Sequence, residues 1–285
     1  MDLLLVRLRE AGFDAVSAEM AGGGVVALAG LATLRDGSRV FAKTLRTPVQ
    51  DLFEVEAEGL RALRELGGVT TPEVLAATAD LLVLEPLPPR RGDDERFWEA
   101  LARAVATLHT VKADRFGWHR DGWLGRLRQD NTWDEDGHAF FAQRRILRWL
   151  PEPLVEAAFD REERRALERL CAALPELLPP QPPVLTHGDL WCGNILSGLA
   201  GGPALVDPAV SYSWAEADLS MLWCSPRPPA SDRFFEVYAD AAGLADGWRD
   251  RMPVFHLREL LSSIAHDDYA RECAAEVREI IRPFA

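Results

Sequence analysis

The hydrophobic rhythm of this 285-residue chain changes once, at Pro86-Leu87-Pro88-Pro89-Arg90-Arg91-Gly92, and the change separates two kinds of structure. Prolines fix φ and remove backbone donors, so regular structure must pause there. Ahead of the pause the pattern from Val25 to Leu45 predicts strand, turn, strand. An apolar run Val25 to Leu34 is followed by the tight-turn signal Asp36-Gly37, then by Arg39 to Leu45 with Lys43 inside the second strand. A helix is expected from about Asp51 to Leu66, stopped by Gly67-Gly68 and Pro72, and a short strand Leu81 to Glu85 leads into the connector. Beyond it the period becomes helical. Phe97, Leu101, Ala104 and Leu108 share one stripe, and further helices are expected near 138–149, 160–178, 231–243 and 253–280. The chain therefore reads as α+β in two lobes, a small β-rich one over residues 1–87 and a larger, mainly helical one over 88–285.

Composition removes several function classes. With 48% hydrophobic and 27% charged residues the chain can build a packed core. Its 32 Lys and Arg against 45 Asp and Glu give a net charge of −13, which repels polyphosphate backbones and anionic lipid, so neither nucleic acid nor a membrane is an expected partner. A nucleotide is not excluded, because local donors and metal ions build such a site. Cys171, Cys192, Cys224 and Cys273 lie far apart without metal-ligand spacing and read as reduced thiols. Met1 to Arg7 lacks the positive start of a secretory signal, and no apolar stretch of about 18 residues occurs, so a cytoplasmic protein is expected.

The exception to the helical rhythm, Pro183 to Asp207, carries the chemistry. In Thr186-His187-Gly188-Asp189-Leu190-Trp191-Cys192-Gly193-Asn194 an aspartate stands five residues before an asparagine, the spacing of the kinase catalytic loop, and Asp207 follows a short apolar strand thirteen residues later. Phosphoryl transfer needs a carboxylate to take the acceptor's proton and oxygen ligands for the metal that bridges the phosphates. Asp189, Asn194 and Asp207 match those needs. A Gly-Asp pair alone would be an ordinary turn; the conjunction of the three residues is what points to a site. Glu56 adds an independent sign. It lies in the series Leu52, Glu56, Leu60, Leu63, in line with apolar residues, and a carboxylate beside a buried stripe needs a cation. Lys43 is the nearest candidate. Glu54 and Glu58 have the wrong phase. Gly22-Gly23-Gly24 ahead of the first strand would let backbone N–H groups approach phosphates, but neither the nucleotide-binding P-loop nor the dinucleotide-binding pattern is present.

These residues resemble the fructosamine kinase family, relatives of the aminoglycoside and choline phosphotransferases. His187-Gly188-Asp189-Leu190-Trp191-Cys192-Gly193-Asn194 is similar to the family's H-G-D-L-W-x-G-N, and Asp207-Pro208-Ala209 with Glu216 and Asp218 to its D-P-A segment and acidic pair. Phe116-Gly117-Trp118, Gly125, Gln129, Asn131 and Trp133 follow its insert, and Phe53, Glu56, Ala57, Gly59 and Leu60 its first-lobe helix. The resemblance implies a protein-kinase-like fold and ATP- and Mg²⁺-dependent phosphorylation of a sugar hydroxyl of a ketoamine, an amine or protein lysine carrying a sugar, whose later release would make this a repair activity. It implies Asp189 as catalytic base, Asn194 and Asp207 as Mg²⁺ ligands, Lys43 as phosphate lysine and Glu56 as its partner. Gly23, Gly24 and Glu85 join them at the nucleotide, and Trp191 and Trp133 near the acceptor. Val25 and Val26 stand where small polar residues are usual, and Gly122 and Arg128 replace an Asn and a Pro of the insert. Another small alcohol, such as an aminoglycoside or amino alcohol, is the alternative acceptor, and a nucleotide-binding scaffold without turnover the alternative of another class. The oligomeric state is left open.

Overall fold

Alternation along two strands organises the first 84 residues. The computed structural model describes residues 3–21, 27–90 and 94–285, so the sequence readings on Gly22, Gly23, Gly24, Val25 and Val26 lie outside the described residues. A helix α1 (Leu3–Glu10) precedes β1 (Ala15–Met20), β2 (Leu28–Leu34) and β3 (Arg39–Thr44), then α2 (Leu52–Glu65), β4 (Val74–Ala77) and β5 (Leu81–Leu84). The strands form one antiparallel sheet in the order β1-β2-β3-β5-β4. Val40 and Ala42 of β3 with Leu81 and Val83 of β5 pack on Leu4 and Leu8 of α1. Leu82 and Leu84 turn the other way, onto Phe53, Ala57 and Leu60 of α2. Buried on both faces, β5 therefore reads as a continuous apolar run. The same period of two puts Lys43, one residue on from Ala42, on the α2 side.

After the connector come α3 (Glu95–Leu108), the hairpin β6 (Gly122–Leu124) and β7 (Leu127–Gln129), α4 (Gly137–Phe141), α5 (Pro153–Ala158) and α6 (Arg161–Leu177). The short strands β8 (Val184–Thr186), β9 (Ile195–Ser197), β10 (Pro203–Leu205) and β11 (Ser211–Ser213) follow, then α7 (Ala215–Cys224), α8 (Asp232–Ala242), α9 (Trp248–His266) and α10 (Ala270–Ile281). One core joins these helices around fully buried Trp98, Trp149 and Trp214, and Leu63 of α2 and Val69 just after it enter this core. The α3 stripe runs through Phe97, Trp98, Leu101, Ala102, Val105 and Leu108, whereas Ala104 is only partly buried. Asp160 and Glu163 close a capping box at the start of α6, as the expected helix over 160–178 requires.

Three expectations are corrected. The helix over 253–280 is two helices: Asp267 and Tyr269 take left-handed φ of 62° and 47° and break it, although hydrophobic spacing continues through the break. The first of the two begins earlier, at Trp248, after Gly247. The helix over 138–149 is α-helical only to Phe141, then widens to a π turn over Ala142–Ile146 that buries Arg145, and ends in a 3₁₀ turn. The first strand of the hairpin runs over Leu28–Leu34, and Val25 and Val26 of the expected run lie outside the described residues. The sheet also gains β1, whose burial pattern lacks clean alternation, and β4, which is only four residues long.

Candidate active site

The site forms where β3 and α2 face Asp207, just after β10, beside the loop that follows β8. Lys43 Nζ donates to Glu56 Oε1 at 2.7 Å and to Asp207 Oδ1, so one ammonium stands between two carboxylates from opposite sides of the connector. The Lys43 and Glu56 side chains are only 11% and 13% exposed, which makes unpaired charge there expensive. Burial would push the lysine down, but Asp207 and Glu56 override it and hold it above its ordinary value. Burial also opposes ionisation of Asp207, yet the Lys43 charge keeps this carboxyl below its usual range. Glu56 goes the other way: burial raises it, against the pull of Lys43. Asp207 has φ 55°, a left-handed conformation uncommon outside glycine and often found where function over-determines the backbone.

The loop from β8 is held by buried polar groups. Asp218, in the first turn of α7, accepts from the backbone N–H of His187 at 2.6 Å and of Gly188 at 2.7 Å, and from His109 Nε2 at 3.2 Å. His109 Nε2 therefore donates, and its Nδ1 lies 2.6 Å from the Tyr238 hydroxyl. Gly188 has φ 80°, and a Cβ there would lie 2.1 Å from the Ala209 carbonyl oxygen, so a side chain cannot fit. His187 Nε2 donates to the Val206 carbonyl at 3.0 Å, which leaves Nδ1 to accept the Asp189 N–H at 3.2 Å. Burial lowers the His187 pKa, in keeping with a neutral ring that fixes the loop rather than carrying charge. Asn194 Nδ2 donates to both the carbonyl and Oδ2 of Asp189, each at 2.8 Å, leaving Oδ1 free to face a cation. Burial raises the Asp189 carboxyl to about 7, with Arg258 pulling it down and Glu259 pushing it up.

The structure thus brings Lys43, Glu56 and Asp207 into one hydrogen-bonded group and Asp189 and Asn194 into another. Those two groups are joined through Val206, whose N–H donates to the Asn194 carbonyl at 3.1 Å. Trp191 is 42% exposed, and its ring lies over Gly193, where a Cβ would come within 2.4 Å of it. Trp133 stacks on Tyr212 with ring centroids 6.3 Å apart and carries the Arg115 guanidinium at 5.2 Å from its centroid. Glu85 stays out of the carboxylate group. Its Oε2 accepts from the Glu73 N–H at 3.4 Å, and it lines an open cavity with Arg64, Thr71 and Leu199. Gly23 and Gly24 lie outside the described residues. Sequence reasoning gave no role to Asp218 beyond its place in an acidic pair, and none to Gln129 or Arg258. Glu216 and Asp218 in fact serve different partners, since Glu216 accepts from Arg251 Nε and Nη2, each at 2.8 Å, and from Gln181 Nε2 at 2.7 Å. Arg258 donates to Glu259 and to Gln129 Oε1, and Gln129 Nε2 donates to the Ala209 carbonyl at 3.1 Å, tying α9 to the segment after Asp207. The signal for Asp218 was an acid on a helix dominated by Leu219, Met221, Leu222 and Trp223.

Oxygen donors such as Asp207 and the Asn194 carboxamide suit a hard cation of the Mg²⁺ kind. Among the described residues no three His, Cys, Asp or Glu side chains converge as a cage, and Mg²⁺ with a nucleotide needs none, since phosphates and water fill its shell.

A candidate ketoamine kinase of Enterococcus faecium is 33% identical over 241 residues, covering 81% of this chain and 82% of its own. A chloroplastic protein-ribulosamine 3-kinase of Oryza sativa subsp. japonica is 28% identical over 239 residues, covering 80% and 67%. The crystal structure of a candidate fructosamine-3-kinase from Thermobifida fusca superposes with a TM-score of 0.86 at 30% identity, covering 99% of both chains, so the two-lobed α+β kinase-like fold expected from sequence is the fold found. The fructosamine kinase family model matches residues 4–282, and the chain belongs to that family.

Proposed function

We propose that this protein is an ATP-dependent kinase that phosphorylates a sugar hydroxyl of ketoamines, the fructosamine or ribulosamine adducts of amines and protein lysines. The observation that carries the reading is the contact of Lys43, held by Glu56, with Asp207, beside a loop in which Asn194 fixes Asp189. Lys43 orients the α- and β-phosphates and Glu56 aims Lys43. Asp207 and Asn194 Oδ1 would hold Mg²⁺, which when bound neutralises charge on the phosphates. Asp189 accepts the acceptor hydroxyl's proton while that oxygen bonds to the γ-phosphorus and the bond to the departing ADP breaks. Trp191 and Trp133 offer aromatic faces for the sugar or its amine carrier, and Glu85 stands at the nucleotide's edge of the connector. Loss of the phosphorylated sugar from the amine would complete a deglycation repair.

Coupled ADP release across a panel of fructosamines, ribulosamines and aminoglycosides tests the assignment. Turnover with ketoamines is expected; turnover confined to aminoglycosides would refute it. No helix among the described residues is long and apolar enough to cross a membrane.

A further inference from the structure

Asp51 precedes α2 at a position where an aspartate ordinarily accepts from the first-turn N–H groups of its own helix. Here the side chain makes no such bond and the backbone is left-handed at φ 59°. Both features are unfavourable locally, so something outside the helix must hold the residue. The carboxylate reaches the hairpin insert between α3 and α4. It accepts from Arg120 Nη2 at 2.8 Å and Trp123 Nε1 at 3.0 Å, and Arg128 Nη2 lies 2.8 Å from Oδ1. Arg128 is one of the residues in which the insert departs from its family's pattern. Two helical turns on, Glu58 does the same: it accepts from Trp118 Nε1 at 2.8 Å, with His119 Nε2 at 3.0 Å and Arg120 Nη1 at 3.5 Å. Glu56, two residues before Glu58 and so about 200° round the helix, faces Lys43 instead.

The insert's other side is fastened to the catalytic half. Gly117 N–H donates to the Tyr212 carbonyl at 2.9 Å, the Trp118 ring lies 5.4 Å from that of Tyr212, and Gln129 holds the Ala209 carbonyl. From a third direction α2 meets Pro208, which a Cβ on Gly59 would approach to 3.0 Å. We infer that Asp51 and Glu58 clasp α2 to the insert, and that Asp51 is a positioning residue holding Glu56, and through it Lys43, in place against Asp207. The inference rests on the phosphoryl-transfer reading of the Lys43–Glu56 pair.

Asp51→Gly tests it, because glycine accepts φ 59° without strain and removes only the carboxylate. Glu56→Gln is made alone and in combination. The clasp predicts that Asp51→Gly stays folded by circular dichroism and loses on the order of 10- to 100-fold in kcat/KM for Mg-ATP, the scale of a misplacement of about 1 Å. In the nucleotide-free protein the α2 amides should exchange faster with deuterium. The double variant should be no worse than Glu56→Gln, since the effect passes through Glu56, and Asp51→Asn, which keeps the shape and part of the bonding, should retain more activity than Asp51→Gly. If Asp51→Gly stays within about twofold of wild type, far short of that scale, while Glu56→Gln is impaired, the clasp is overturned and the phosphoryl-transfer reading stands. Losses that multiply in the double variant overturn it as well. An unimpaired Glu56→Gln removes the pair from the mechanism and the clasp with it.

Discussion

Asp218→Asn should destabilise the protein while changing the carboxylate by one atom. Asp218 is 2% exposed, and three donors end on it: His187 N–H and His109 Nε2 on Oδ2, Gly188 N–H on Oδ1. The least damaging asparagine puts its oxygen in the place of Oδ2 and keeps two of the three. Its NH₂ then faces the Gly188 N–H, a buried donor against a donor, which costs about 1–3 kcal/mol. The two surviving bonds change from charge-assisted to neutral and weaken by roughly 1 kcal/mol each. Relief from burying a charge would offset this, but burial is already overcome in the wild type: His109 and the backbone donors hold the Asp218 carboxyl below its ordinary value. The net loss is therefore about 3–5 kcal/mol, or roughly 10 °C in Tm for a chain of this size.

The sign of its pH dependence follows from the same shift. A carboxyl depressed in the folded state contributes stability above its unfolded pKa, about 3.9, and that contribution is lost as pH falls through the folded value. Urea unfolding of both proteins between pH 3 and 7 should give a constant gap down to about pH 4 that narrows below it. A gap under about 1 kcal/mol at pH 7, the worth of one ordinary neutral hydrogen bond, would refute the reasoning.

Two further outcomes bear on the chemistry. Asp189→Asn should bind Mg-ATP nearly as wild type does and lose roughly 10²–10⁴-fold in single-turnover phosphorylation. Because burial raises the Asp189 carboxyl to about 7, wild-type kcat/KM should climb as pH rises through that value and the variant's should not, whereas parallel profiles would count against Asp189 as the base. Lys43→Met and Glu56→Gln should each impair kcat/KM, and the double variant should fall well short of the product of the two, because either change alone leaves the partner misaligned; independent losses would separate the pair.

What the sequence discloses about this site depends on the kind of partner each residue takes. Glu56 could be read because a carboxylate in line with Leu52, Leu60 and Leu63 demands a cation, and Lys43 is the nearest candidate to supply it. Both halves of that pair are visible as residue types. Asp218 poses the same demand on an equally apolar helix, yet its partners are chiefly two backbone N–H groups some thirty residues away. Every non-proline residue carries such a donor, so nothing in the sequence marks which ones will be left over. Asp51 is hidden for a related reason: an aspartate ahead of a helix ordinarily caps it, whereas here Arg120, Trp123 and Arg128 hold the carboxylate. The break at Asp267 to Tyr269 is the backbone form of the same problem, since apolar spacing reports which face is buried and keeps its phase across a kink. Opposite charges fix the reactive groups of this site legibly. The donors that hold its loops in place are common to every sequence, and only the fold selects among them.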